Sequence, residues 1–329
     1  MLPRHVVAEV LDAFDLGDGI LSPAPVAYGR VGEIWRLEAT TGSWAVKTER
    51  NEVSEEGLAP SVRFHEGAVA AGIRAPGIRR TREGRVVADV ADRQIRVLEW
   101  VDMAATDPGI DPVAVGRLLA DLHRMPAARW SAPADPRGDV EPWFQAPIGG
   151  SAWDDLLTEL CRAGAPSATA LVGQRDEMVA LERILAPPRD LGWCHRDLFA
   201  DNVRSVPGDG LVVFDFDNSG PCDPAWEVAF ALVEYATTER PEHAGVEVVR
   251  ARALYDAYRD RGGPARLRDE ADFTMIIAVL GHITQIASRR WLATSEPSER
   301  DDLAAWAAEL TDRPLTRQVI HELLQACAS

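Results

Sequence analysis

Residues 192–220 constrain the fold and the chemistry of this chain more than any other stretch. Their sequence is GWCHRDLFADNVRSVPGDGLVVFDFDNSG, in which polar groups cluster on either side of a turn. The apolar run at 212–214 predicts a strand that ends at Asp215, and Pro207-Gly208-Asp209-Gly210 supplies the turn before it. The stretch therefore predicts a short hairpin that carries a carboxylate at the end of a strand.

Asp197, Asn202 and Asp215 are the groups in this stretch whose spacing indicates a reaction. A centre that binds phosphate-bound magnesium needs hard oxygen ligands, and it needs a separate carboxylate near the acceptor hydroxyl. The three residues follow the order H-R-D-x-x-x-x-N and then D-F, which kinase-type phosphotransferases use. Because spacing and context must agree, the pattern strongly favours phosphoryl transfer.

Length, composition and charge set broader limits. The chain has 329 residues, 46% hydrophobic and 26% charged, enough to bury a large core in one or two domains. A net charge of −17 argues against nucleic acid as a partner and favours cationic ones, although solubility is an equally good explanation. Four scattered cysteines without metal-ligand spacing predict reduced thiols. No stretch approaches the length that spans a membrane, so we expect a cytoplasmic monomer or homodimer that binds no membrane.

Lys47 is the only lysine among the 35 basic residues. A chain with so few lysines keeps one where a compact, bendable ammonium is needed. Lys47 ends Trp44-Ala45-Val46-Lys47, in the position of the strand that carries a kinase's phosphate-binding lysine. Gly29 and Gly32 precede it in a predicted hairpin whose backbone N–H groups can cover phosphates.

A lysine in that role needs an acidic partner. Because proline is tolerated in the first turn of a helix, we expect a helix that starts near Pro60 and ends at Gly72. Its spacing would place Glu66 inward, where an unpaired charge is costly, so Glu66 is the predicted partner of Lys47. Glu55 and Glu56 are the alternatives, and a surface role for Glu66 stays open.

The strand-like run at 95–101 ends where the composition shifts from strands to helices. We therefore expect residues 1–100 to form a nucleotide-binding lobe and residues 101–329 a catalytic and substrate-binding lobe. The backbone of Glu99 to Val101 would then lie where it can hydrogen-bond an adenine edge. In the second lobe Asp111-Pro112 predicts a helix start, further helices are expected near 152–162, 171–186 and across 224–327, and an irregular connection is expected at 126–150.

The chain resembles the aminoglycoside phosphotransferase family, which also contains choline-kinase-like and other small-molecule kinases. The resemblance extends from about residue 26 to at least 236 and rests on W-A-V-K at 44–47, G-R-L-L-A-D-L-H at 116–123, C-H-R-D-L-F-A-D-N-V at 194–203 and F-D-F-D-N-S-G-P-C-D-P-A-W-E-V-A at 214–229. It implies an α+β, protein-kinase-like two-lobed fold with a small β-rich N-lobe and a larger, mainly helical C-lobe.

The resemblance also implies roles for individual residues. Lys47 would bind the α and β phosphates of ATP, with GTP as the alternative, steadied by Glu66, while Asn202 and Asp215 would hold Mg²⁺. Asp197 would orient the acceptor hydroxyl and accept its proton. These assignments describe a kinase that transfers the γ-phosphate to an alcohol group.

Several residues depart from the family pattern or leave two interpretations open. The family usually has glycine or asparagine, in His-Gly-Asp or His-Asn-Asp, where this chain has Arg196. The eight residues from Asp215 to Asp223 leave no room for an activation loop. We therefore expect Arg196 to pair with a local carboxylate. Glu227 stands where the family often has aspartate. Asp217 is equally well a second metal ligand or a residue that stabilises the turn, and Asp223 fits a helix N-cap.

The acceptor is the least determined feature of the sequence. Asp155 and Glu159 lie four residues apart on the outer face of a predicted helix, and they form either a solvated face or a wall that binds a cation. Glu234 is a similar candidate. With the negative net charge, these residues weakly favour an aminoglycoside-type or other cationic polyol, and hence antibiotic resistance. A metabolic kinase of choline, an amino alcohol, a sugar or a nucleoside is the alternative, and a non-catalytic nucleotide-binding pseudokinase is the second.

Overall fold

The structure is a computed structural model that describes residues 4–29, 32–49, 52–125, 140–237, 245–312 and 314–328. The chain divides into two compact units. Residues 1–106 and 202–219 form the first unit, and residues 107–201 and 220–329 form the second. The assignment of nucleotide binding to residues 1–100 and of catalysis and substrate binding to 101–329 stays a prediction.

The secondary structure has a β-rich beginning and a mainly helical remainder, so the predicted α+β class is confirmed. In chain order the strands are β1 (Gly19–Leu21), β2 (Ala27–Gly29), β3 (Gly32–Ala39), β4 (Gly42–Glu49), β5 (Ile78–Arg79), β6 (Ala88–Val90), β7 (Arg93–Glu99), β8 (Gly192–Cys194), β9 (Val203–Ser205), β10 (Leu211–Val213) and β11 (Gly220–Cys222). The α-helices are α1 (Arg4–Ala13), α2 (Glu55–Ala70), α3 (Pro112–His123), α4 (Gly150–Ala163), α5 (Ala168–Glu182), α6 (Pro224–Ala236), α7 (Val248–Asp260), α8 (Thr274–Ala293), α9 (Pro297–Asp312) and α10 (Arg317–Cys327).

The first unit is organised by an antiparallel sheet, which has seven strands within its described residues. Strands β1, β3, β4, β7 and β5 are neighbours in that order, while β2 pairs with β3 and β6 pairs with β7. Side chains alternate between the two faces of a strand, and in β4 Trp44, Val46 and Thr48 are buried. Trp44 and Val46 join the core that includes Phe14, Trp35, Leu37 and Ile95. Lys47 and Glu49 therefore extend from the opposite face of the sheet.

Helix α2 begins earlier than the sequence analysis predicted. Ser54 caps it by accepting a hydrogen bond from the Gly57 amide at 3.0 Å, and Glu55 and Glu56 occupy the first turn. Their negative charges stabilise the N-terminus of the helix through its dipole. The predicted start near Pro60 is therefore wrong, because Pro60 lies inside the helix.

The second unit is formed mostly by helices α3 to α10. Asp111 and Asp223 cap α3 and α6, each of which has proline in its first turn, as predicted. One face of α4 is buried through Trp153, Leu156, Leu157 and Leu160. Strands β8 and β11 pair antiparallel, with Cys194 opposite Gly220.

Residues 270–293, which end with α8, are long and apolar enough to span a membrane by length and composition. The expectation that no stretch approaches that length is therefore wrong. However, 67% of the apolar window is buried inside the structure, as in the core helix of a globular protein.

Candidate active site

The β9–β10 hairpin brings two predicted metal ligands to the same end. Val203 pairs with Val213 in this hairpin, and the Phe214 amide donates to the Asn202 carbonyl at 2.9 Å. Asn202 therefore lies opposite Phe214, one residue before Asp215. The hairpin predicted from the apolar run and the Pro-Gly turn is present, and both polar residues lie at its open end.

Asp215 lies at a strained point of the backbone. Its φ of 52° is left-handed, which costs a non-glycine residue roughly 1–2 kcal/mol. A 3-10 turn follows at Phe216–Asn218. Phe216 is buried, and its ring stacks on that of His65 in α2 with centroids 4.2 Å apart. This anchored turn holds the Asp215 side chain, 38% of which remains exposed.

Lys47 points to the same turn. Its Nζ donates to Asp217 Oδ2 at 2.7 Å and to Asp215 Oδ1 at 3.4 Å, and its side chain is only 12% exposed. Burial acts to lower the pKa of Lys47, but the charges of Asp215 and Asp217 outweigh it and raise that pKa above its ordinary value. The ammonium is therefore charged throughout the neutral range.

Arg96 is a second buried cation at this site. In the β4–β7 ladder it stands directly opposite Lys47. Its Nη1 donates to Asp217 Oδ1 at 2.6 Å and its Nη2 to Asp217 Oδ2, while its Nε donates to Glu49 Oε1 at 2.6 Å. Burial opposes ionisation of Asp217, yet the hydrogen bonds and charges of Arg96 and Lys47 hold its pKa well below the usual range. Sequence reasoning missed Arg96 and Glu49, since no motif marks them.

The predicted ion pair between Lys47 and Glu66 is not the one that forms. Glu66 accepts instead from Arg80, at 2.7 Å from Nη2 and 3.1 Å from Nε, and its side chain is 42% exposed. The alternative Glu55 accepts from the amides of Val86 and Val87 at 2.7 and 2.8 Å. The pairing was wrong because helical spacing gives the face of a residue but not its partner, and Asp217 takes the lysine.

The glycine hairpin is present as β2 and β3, with Gly29 opposite Gly32. Gly32 is required there by a close approach, since a Cβ on it would lie 1.7 Å from the Thr48 carbonyl oxygen. The two turn residues between the glycines lie outside the described part of the chain. The role of Gly29 and Gly32 in covering phosphates stays a prediction.

The backbone at 99–101 has part of its hydrogen-bonding capacity in use. The Glu99 amide donates to the Gly77 carbonyl at 2.8 Å, and the Trp100 amide donates to the Ser43 carbonyl at 3.0 Å. The predicted adenine contact of Glu99 and Val101 therefore has to use backbone groups other than these two amides.

In the second unit, Asp197 follows β8 in a loop whose backbone is held from α6. The Glu227 carboxylate, completely buried, accepts from the His195 amide at 3.2 Å and from the Arg196 amide. It also bonds His123 Nε2 at 2.8 Å, and His123 Nδ1 lies 2.9 Å from the Tyr258 hydroxyl. Burial works against the charge of Glu227, but the His123 hydrogen bond leads a set of interactions that lowers its pKa. The glutamate in place of aspartate thus fixes the residues before Asp197.

Ligand atoms of His123, Cys194 and Glu227 lie within 4.8 Å of one another. Burial raises the pKa of the Cys194 thiol well above its ordinary value, and a metal-binding cysteine has to be deprotonated. With both His123 nitrogens and the carboxylate already bonded, this cluster is a support of the loop.

Arg196 pairs with a local carboxylate, as its sequence context indicated. Its Nη2 donates to Glu141 Oε1 at 2.8 Å, and its guanidinium lies 4.1 Å from the centre of the Phe144 ring. Its φ is 65°, in the left-handed region that glycine and asparagine tolerate best. Arg196 therefore adopts a conformation that glycine or asparagine would adopt at lower cost.

The three predicted acceptor-binding acids lie in different settings in the second unit. Asp155 is exposed on α4. Glu159 accepts from Arg289 Nη1 at 2.7 Å, and Glu234 accepts from the Ala200 amide at 2.9 Å. An acceptor role for the three residues stays a prediction, and Glu159 already has a cation.

These features define the chain as a phosphotransferase of the kinase type. The model of the phosphotransferase enzyme family, abbreviated APH, matches residues 24–270, and the chain belongs to that family. Membership bears out the resemblance found in the sequence and makes the chain a kinase whose acceptor is a small-molecule hydroxyl. It also sets the pseudokinase alternative aside and implies a nucleotide and a divalent metal.

Among curated proteins, the chain is similar to several named homoserine kinase. The one from Nitrobacter winogradskyi is 29% identical over 261 residues, which cover 77% of this chain and 74% of that protein. The one from Parvibaculum lavamentivorans is 27% identical over 267 residues, covering 78% and 76%.

Solved structures share the fold. An aminoglycoside phosphotransferase from Alicyclobacillus acidocaldarius is 18% identical with a TM-score of 0.57, over 99% of this chain and 96% of that one. An amicoumacin kinase in complex with AMP-PNP and Ca²⁺ is 17% identical with a TM-score of 0.61, over 98% and 97%. A microcompartment-associated aminopropanol kinase is 17% identical with a TM-score of 0.56, over 93% and 95%.

Proposed function

We propose that this protein transfers the γ-phosphate of magnesium-bound ATP to the hydroxyl of a small acceptor that also carries an ammonium group, with homoserine the first candidate. The observation that carries the kinase chemistry is the charged Lys47 ammonium, 2.7 Å from Asp217 and 3.4 Å from Asp215 at the open end of the hairpin. The choice of acceptor is supported by the curated relatives named homoserine kinase, which match about three quarters of both chains.

The residues at the hairpin end fit a magnesium ion. Asp215 offers a partly exposed carboxylate, and Asn202 offers an amide oxygen from the opposing strand end; both are the hard oxygen ligands that Mg²⁺ requires. When bound, the ion supplies positive charge to the phosphate oxygens of the nucleotide. Both oxygens of Asp217 already accept from Arg96, so Asp215 is the carboxylate better suited to the metal.

The chain's own residues then divide the remaining work. Lys47 keeps its proton, because its pKa is raised, and presents a point charge to the α and β phosphates. Asp197 orients the acceptor hydroxyl and accepts its proton. Glu227 contributes by fixing the amides of His195 and Arg196, which limits how far Asp197 can move from a productive geometry.

The Asp197→Ala variant tests this assignment. We expect turnover to fall by about three orders of magnitude or more, while the dissociation constant of ATP changes less than about twofold. Asp176→Asn is the matched control, since its side chain is 96% exposed and it should leave turnover unchanged. Full activity of the Asp197 variant would refute the role of this residue.

A second acceptor class is a cationic antibiotic, as the sequence first favoured. Asp155, Glu159 and Glu234 are the residues that support it, but Glu159 and Glu234 already accept from Arg289 and from the Ala200 amide. A phosphate-transfer screen with labelled ATP and GTP should therefore show turnover of homoserine or a similar amino alcohol, and little with aminoglycosides, choline, sugars or nucleosides. Turnover confined to an aminoglycoside would instead favour the cationic antibiotic over homoserine as the acceptor. Glu159→Gln would then be expected to raise the acceptor KM.

The expected setting is the cytoplasm, where ATP is available to such an enzyme, with the chain as a monomer or homodimer. Size-exclusion chromatography with light scattering would measure the oligomeric state directly.

A further inference from the structure

We infer that Asp217, held by two hydrogen bonds from Arg96, positions the Lys47 ammonium for the nucleotide phosphates. A glutamate of helix α2 was expected to fill this role. This inference rests on the proposed nucleotide site at Lys47. It assigns a positioning function to Asp217 and Arg96, neither of which needs to contact the substrates.

The distances identify Asp217 as the principal partner of the lysine. Lys47 Nζ lies 2.7 Å from Asp217 Oδ2 but 3.4 Å from Asp215 Oδ1, and only the shorter contact has the length of a charge-assisted hydrogen bond. An ammonium has three donors, and within the described residues Asp217 and Asp215 take two of them, which leaves one for a phosphate oxygen.

Arg96 explains why Asp217 can hold this position. Residues directly opposite in an antiparallel ladder place their side chains on the same face, with Cβ atoms about 5 Å apart, so Lys47 and Arg96 form a pair of like charges. The Asp217 carboxylate accepts from both. The planar guanidinium donates to both carboxylate oxygens and fixes the carboxylate plane.

Glu49 completes the arrangement. Its carboxylate, with a side chain only 3% exposed, accepts from Arg96 Nε at 2.6 Å. The order Lys47, Asp217, Arg96, Glu49 alternates in sign and sums to zero, which is how buried charges are tolerated in a protein interior.

The turn that carries Asp217 links this chain of charges to the metal ligand. Asp215 and Asp217 flank Phe216, whose ring is stacked on His65 at 4.2 Å. One anchored turn therefore sets the carboxylate suited to the metal and, through Asp217, the lysine. Meanwhile Glu66 is occupied by Arg80.

A double-mutant cycle on nucleotide affinity tests the inference. Isothermal titration calorimetry with ATP and Mg²⁺ would compare the wild type, Asp217→Asn, Lys47→Met and the double variant. When Lys47 is present, we expect Asp217→Asn to weaken ATP binding about tenfold, the effect of one charge-assisted hydrogen bond. In the Lys47→Met background, the same substitution should weaken ATP binding less than about twofold. Asp89→Asn is the matched control, an acid of the same unit paired with Arg85 at the surface.

Arg96→Lys is a second test of the same inference, because it keeps the buried positive charge but removes the bidentate hydrogen bonds to Asp217. It should also weaken ATP binding only when Lys47 is present, with the acceptor KM unchanged, and it serves as the test if Asp217→Asn does not fold.

The outcomes separate the inference from the function on which it rests. If Lys47→Met leaves ATP affinity unchanged, the proposed nucleotide site fails, and the inference fails with it. If Lys47→Met weakens binding but Asp217→Asn acts equally in both backgrounds, Asp217 has only a general structural role and the inference alone is overturned. A larger loss in Glu66→Gln than in Asp217→Asn would return the positioning role to helix α2.

Discussion

Replacing Glu227 with glutamine should destabilise the second unit and slow the reaction. The change keeps the shape of the side chain but removes the charge that accepts from His123, the His195 amide and the Arg196 amide in a completely buried setting. A hydrogen bond to a charged group contributes about 1.5–3 kcal/mol. Because the amide can still accept through its oxygen, we expect a loss of about 2 kcal/mol in the free energy of unfolding, or roughly 4–8 °C in Tm for a unit of this size.

The pH dependence of this loss identifies its origin. Burial acts to raise the pKa of Glu227, but the His123 hydrogen bond and the other contacts lower it below its ordinary value of 4.5. A carboxyl whose pKa is lower in the folded state contributes stability above about pH 4.5, and it loses that contribution as the pH falls through the folded-state pKa. The stability gap between wild type and Glu227→Gln should therefore be widest at pH 7 and narrow below about pH 4.5.

Urea unfolding followed by circular dichroism at a series of pH values measures both quantities. Glu227→Asp keeps the negative charge and introduces the aspartate that the family often has at this position. Its stability and its kcat should lie between those of the wild type and those of the glutamine variant. An unchanged unfolding free energy in Glu227→Gln at pH 7, or a gap that does not vary with pH, would refute the proposed role of the buried charge.

Two further predictions concern the backbone. At Arg196, whose φ is 65°, glycine should give a protein at least as stable as alanine does, since the left-handed conformation costs alanine roughly 1–2 kcal/mol; thermal unfolding of the two variants would show this, and a clearly more stable alanine variant would contradict it. At Gly32, an alanine Cβ would clash with the Thr48 carbonyl oxygen at 1.7 Å, so Gly32→Ala should lower both Tm and ATP affinity. Gly173 is exposed inside α5, and beyond its chain neighbours and its own helix backbone no atom lies within 4 Å of an added Cβ; it is the control at which alanine should stabilise by about 0.5–1 kcal/mol.

The parts of the site that sequence predicted well are those fixed by neighbouring residues. The hairpin of Asn202 and Asp215 depends on a Pro-Gly turn and a short apolar run, and both act locally. The N-caps Asp111 and Asp223 are local in the same way, since each side chain accepts from an amide two residues later.

The parts that sequence missed depend on which strands and helices meet. Proline and helical spacing suggested a helix from Pro60 with Glu66 facing the lysine, whereas Ser54 and two following acids start the helix earlier. Helical spacing does not reveal that Arg80 pairs with Glu66. Arg96 lies beside Lys47 because β7 pairs with β4. Ion pairs between residues far apart in sequence require the strand register, and no motif here encodes it.

The first unit is formed by two segments that are far apart in sequence, so its paired charged residues are synthesised at different times. Lys47 and Arg96 lie in residues 1–106, whereas Asp217 arrives with residues 202–219. On a ribosome that adds about 5–20 residues per second, Asp217 is synthesised roughly 6–24 s after Arg96. Until then Arg96 has Glu49 as its partner, and Lys47 lacks the two aspartates that pair with it in the described structure, so a nascent or truncated N-terminal segment would carry one unbalanced positive charge at this position of the sheet. The ion pairs of Lys47 are therefore completed late in translation.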